Sequence, residues 1–75
     1  MSNDYDRAEA LRATLVDLYW EAMNLGTSNK SLDTDEDGWT NESGFFFARG
    51  KALHDFARNH IKPALAAIGV NPFDR

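Results

Sequence analysis

Apolar residues recur at three- and four-residue intervals over the first third of the chain. Ala8, Leu11, Leu15, Leu18, Ala22 and Leu25 fall on one side of an α-helix, with polar residues between them. The spacing predicts a helix over about residues 4–25 with that stripe as its buried face. Asn3 or Asp4 is placed to cap its start, and the acids of the first turn suit the positive end of the helix dipole. Gly26 reads as the residue that ends it, because glycine takes positive φ without a Cβ penalty.

The periodicity lapses over residues 27–44, a polar, acidic stretch rich in turn formers. A connection of that length in a small domain is functional or mobile. Helical spacing then returns in Phe46, Leu53, Ala57, Ile61, Ala64 and Ile68, with Phe56 beside them. It predicts a second helix over about residues 45–62. Pro63 lacks a backbone N–H and crowds the preceding turn, so a kink or break is expected near Lys62. Pro63 then opens a short third helix over about residues 63–68. Ile68-Gly69-Val70-Asn71-Pro72 reads as a helix stop. The expected fold is all-α: one small domain over residues 1–75, a helical hairpin whose second helix is kinked or broken near Pro63, with a long acidic connecting loop.

Length narrows this picture. A 75-residue chain buries only about 60% of its unfolded surface. There is no cysteine to staple it. Yet 43% of its residues are apolar and 12% aromatic, ample for a folded core. A homodimer or a packed loop is expected to complete that core. The longest apolar run, Ala64 to Ile68, is far below the ~20 residues of a membrane span. The polar, acidic N-terminus lacks the features of a signal peptide. The expectation is a cytoplasmic protein with no membrane partner.

Charge is uneven. Residues 1–42 carry ten acids and three bases, net −7; residues 43–75 carry two acids and five bases, net +3. The acidic part repels phosphates and attracts a basic protein surface. Lys51, Arg58 and Lys62 form a basic stripe on the second helix, which Asp55 is spaced to pair. The stripe is too sparse for a nucleic-acid interface.

The acids concentrate in Asp33-Thr34-Asp35-Glu36-Asp37-Gly38. This run resembles the opening of an EF-hand calcium loop, where alternate acids supply oxygens and a glycine makes the sharp turn. Asn41 suits the ninth position. The twelfth, which should be a bidentate Glu, is Gly44, and Glu42 stands two residues early. The main reading is a solvated acidic turn, with no metal and no cofactor. Asp33, Asp35 and Asp37 are the candidate ligands of a calcium-responsive alternative.

Catalytic chemistry finds little support. His54 and His60 are six residues apart and share no helix face, and Asp55, next to His54, points away from it. No nucleophile–base pair and no glycine-rich phosphate loop can be drawn. Trp20 lies off the apolar stripe of the first helix, near Val16 and Met23. It either packs beneath the loop or anchors a partner.

The functional expectation is a non-catalytic protein-binding module with an acidic docking surface. Asp33, Asp35, Glu36, Asp37, Trp39 and Glu42 of the loop, with Asp17, Trp20 and Glu21 of the first helix, are the candidate contact residues. The expected partner is a protein with a basic surface, without direct contact to nucleic acid. In size and charge the chain is similar to phage anti-defence proteins of the anti-CRISPR type, which implies an inhibitor occupying a nucleic-acid-binding site. The alternatives are the calcium-responsive module and a structural subunit of a larger assembly.

Overall fold

The computed structural model describes residues 2–74, the side chains of Ser2 and Asn3 excepted, so the expected Asn3 cap lies outside the described side chains. The chain is an all-α hairpin. Helix α1 spans Ser2–Leu32. Helix α2 spans Phe45–Phe56. It runs through a π-helical segment at Ala57–Ile61 into α3, Lys62–Ala67. The molecule is a rod with extents of 56 × 19 × 19 Å.

Helix α1 continues through Gly26, where the sequence pattern ends it. Two causes act together. Gly26 is buried at the crossing with α2, opposite Gly50. A Cβ on Gly26 would fall on the His54 ring, and one on Gly50 would stand 3.0 Å from the Lys30 backbone nitrogen. The missing side chains let the two helices approach at this point. Beyond Gly26, the polar residues that read as a loop bond back to the helix. Thr27 Oγ1 donates to Met23 O, Asn29 Nδ2 to Leu25 O and Ser31 Oγ to Thr27 O, at 3.1, 2.8 and 2.9 Å. Such side chains can compete with helix formation; here their groups are used inside it.

The buried face of α1 is rotated from the leucine stripe. Its centre is Tyr19, Ala22 and Gly26, with Leu15, Val16, Trp20 and Met23 half-buried around it. Leu11, Leu18 and Leu25 are exposed. The cause is steric: α2 settles against the small residues Ala22 and Gly26, and the leucines are left on the flank.

The expected irregularity near Pro63 is present, as a π turn that joins two pieces of the second helix. Pro63 cannot donate to the carbonyl four residues before it, and the chain changes hydrogen-bond period just upstream. Lys62 N donates to Ala57 O, a five-residue step. A π turn holds about one extra residue, which rotates the following helix by about 100°. Leu65 therefore lies in the core, and Ala64 and Ile68, assigned to the inner face by their spacing, are exposed. The core is small: Tyr19, Ala22, Ala57, Ile61 and Leu65.

The expected stop forms at Gly69, with φ of 74°. Val70 N donates to Leu65 O at 2.9 Å and Gly69 N to Ala66 O at 3.0 Å, the two bonds of a Schellman motif. The chain then folds back over α1. Trp20 Nε1 donates to Pro72 O at 3.0 Å, and Phe73 packs edge-on to Trp20 and Tyr19. No helix among the described residues is long and apolar enough to cross a membrane.

Candidate functional site: the acidic loop tip

The loop between α1 and α2 is shorter than its composition implies, because α1 takes its first residues. What remains is tied to itself. Asp35 Oδ1 accepts from Asp37 N at 3.0 Å and Trp39 N at 2.9 Å, and Asp35 N donates to Trp39 O at 2.9 Å. Gly38, at φ 86°, allows the turn to close. Below it, Thr34 and Thr40 form an isolated bridge with their hydroxyls 2.9 Å apart. Asn41 N donates to Asp33 O at 2.8 Å.

Asp33 has a separate task. Its Oδ2 accepts from Phe47 N at 2.5 Å, satisfying a free donor in the first turn of α2. A Cβ on Gly44 would overlap its carboxylate, so glycine makes room for this cap. Asp33→Ala is expected to destabilise the fold by about 1–2 kcal/mol, the range of a lost helix cap. Urea denaturation checks it; an unchanged midpoint would show that the cap contributes nothing.

The nine candidate residues therefore divide. Glu36, Asp37, Trp39 and Glu42 are exposed at the tip. Asp33 and Asp35 are its scaffold, their carboxylates engaged by backbone N–H groups. Among the described residues no three His, Cys, Asp or Glu side chains converge as metal ligands. Asp17 and Glu21 are exposed on α1, roughly 18–24 Å along the helix axis from Asp33 by the rise per residue. They are not brought to the tip. Trp20 is half-buried and packs under the C-terminal turn rather than under the loop.

Two aromatic residues at the start of α2 are exposed, Phe45 and also Phe46, which the helical spacing placed on the inner face. Phe45 is 72% exposed, and Phe46 packs edge-on to it with centroids 5.3 Å apart. The signal was present: adjacent helical positions point in different directions, so Phe45, Phe46 and Phe47 cannot all face one core. Phe47 is the half-buried one, with Lys30 Nζ 5.3 Å from its ring centroid. Trp39 is 76% exposed.

The histidines are not arranged for catalysis. His54 is buried, its Nε2 donating to Met23 O at 2.9 Å, and its enclosed Nδ1 makes no hydrogen bond. His60 is exposed and its ring lies 5.2 Å from that of Phe56. Asp55 forms no ion pair with Lys51 or Arg58 among the described residues. Comparison with protein-family models, curated proteins and solved structures finds no match to this chain.

Proposed function

We propose that this protein is a non-catalytic binding module that docks its acidic, aromatic loop tip on a basic surface of another protein. The observation that carries the reading is the exposure of Trp39 among Glu36, Asp37 and Glu42 on a loop closed by its own hydrogen bonds. Exposed tryptophans are frequent anchors of protein interfaces. Acids around such an anchor speed encounter with a basic groove. A loop already held in shape loses little further entropy on binding.

The favoured form of this activity is inhibition: the tip occupies a basic, nucleic-acid-binding site on the partner. That step rests on the small size and acidic charge shared with phage anti-defence proteins of the anti-CRISPR type. The calcium-responsive alternative would use the carboxylate oxygens of Asp33 and Asp35 that their backbone partners leave open.

The test is capture from the native host with the full chain immobilised, followed by mass spectrometry. The parent is expected to retain a protein with a basic surface, and Trp39→Ala to weaken its binding by roughly 30-fold, a loss of about 2 kcal/mol. Equal retention by parent and variant would remove the tip from the interface.

A further inference from the structure

Leu11, Leu18, Leu25 and Leu32 stand seven residues apart along α1 and are 65%, 46%, 47% and 65% exposed. From Leu11 to Leu25 they form, with Leu15 and Ala22, an apolar seam beside the face that packs on α2, and Ser28 and Asn29 separate it from Leu32. Phe56 and Ile68, themselves 55% and 47% exposed, line the same groove from the other arm of the hairpin. The two stretches of this groove include only Glu21 and Arg12 as charged residues. Charge is depleted there, as at the centre of protein interfaces.

The occupant is indicated by the surface area. A compact monomer of 8.4 kDa exposes about 4,600 Å² by the usual scaling of surface with mass. This chain exposes 5611 Å², an excess of about 1,000 Å². A standard stable interface buries about 800 Å² on each partner. The shape agrees: the radius of gyration is 15.7 Å, against about 11 Å for a compact chain of this length. Among the described residues only six apolar side chains are buried, Pro72 included, a small core for a domain without disulfides.

We infer that the leucine seam is the interface with a second copy of this chain, two hairpins pairing about a two-fold axis into a four-helix bundle. A leucine every seven residues on each α1 is the pattern that lets identical helices interdigitate along a shallow left-handed crossing. A two-fold axis presents the same patch to itself, so no second surface is required. The loop tip lies at the end of each rod, off the seam, so pairing leaves Trp39 and its acids available in both copies. The inference does not depend on the proposed function.

Sedimentation equilibrium of the full chain across a wide concentration range tests it. The parent is expected at twice the chain mass, with a melting temperature that rises with concentration. Leu18→Ala/Leu25→Ala removes four leucines from the paired seam and is expected to weaken self-association by roughly a hundredfold or more. Both residues are half-exposed in the single chain and alanine favours helix, so circular dichroism should stay helical. Leu18→Glu/Leu25→Glu should abolish pairing; if it also unfolds, the alanine pair decides. Trp39→Ala should leave the mass at twice the chain. A parent at any other mass, or a dimer as tight in the alanine pair as in the parent, overturns the inference.

Discussion

Gly50→Ala should destabilise the hairpin severely, although helix propensity alone predicts the opposite. In an exposed helix interior the change gains about 1 kcal/mol. Here the new Cβ would overlap Gly26 O and stand 2.8 Å from Lys30 Cγ. The first of these is backbone of α1, which cannot rotate away. The helices must separate where they pack closest, taking the His54–Met23 hydrogen bond with them. Overpacking of this kind costs about 1–3 kcal/mol or more. For a domain of this size that lowers the melting temperature by roughly 4–24 °C. Gly26→Ala should act in the same direction, through the His54 ring. A Gly50→Ala variant as stable as the parent would mean that the helices do not cross at these glycines.

Leu65→Ala should be comparably damaging. Leu65 is fully buried in a core of five side chains. Truncating a buried leucine costs about 2–5 kcal/mol. A chain of this length is expected to have only about 4–11 kcal/mol of stability in all. Leu65→Ala should therefore be substantially unfolded on mild warming. Ala64→Gln, one residue earlier, should change stability by about 0.5 kcal/mol or less, since Ala64 is exposed. The pair tests the π turn as well as the core. If the helix kept ordinary α spacing past Ala57, Ala64 would face α1, and Gln there would be the disruptive change. Thermal denaturation followed by circular dichroism separates the two registers.

Much of this architecture is legible in the pattern of apolar residues. Three- and four-residue spacing identifies both helical arms, and the order glycine, valine, asparagine, proline after Ile68 locates the final stop. What escapes the pattern has specific causes. Periodicity detects an apolar face but not which side of a broad face meets the neighbouring helix. On α1 the leucines outweigh Tyr19, Ala22 and Gly26 in hydrophobicity, yet the smaller residues are the ones that let α2 approach. Gly26 is read as a terminator because isolated sequence carries no information about a close crossing. Pro63 correctly marks an irregularity, but not that a π turn upstream would absorb it.

The tip shows the same limits. The acidic character of the loop and the presence of Trp39 are plain in the sequence. That Asp33 and Asp35 hold backbone groups, while Glu36, Asp37 and Glu42 are exposed, depends on hydrogen bonds between residues as far apart as Asp33 and Phe47. A charge substitution meant to probe binding must therefore spare Asp33 and Asp35. Changing them would confuse a loss of fold with a loss of contact.

In the proposed function the tip recognises a basic partner through its exposed acids as well as through Trp39. The direct measurement is the association rate of the captured partner at low and at physiological salt. It compares the parent with Glu36→Gln/Asp37→Asn/Glu42→Gln, which removes three charges and keeps the loop scaffold. Salt screens exposed charges over about 8 Å at physiological strength. The parent should associate fast at low salt and slow markedly as salt rises. The variant should associate more slowly at low salt, with a flatter salt dependence and an unchanged melting temperature. A variant that associates as fast as the parent at low salt would contradict the account, leaving the acids as solvated loop residues.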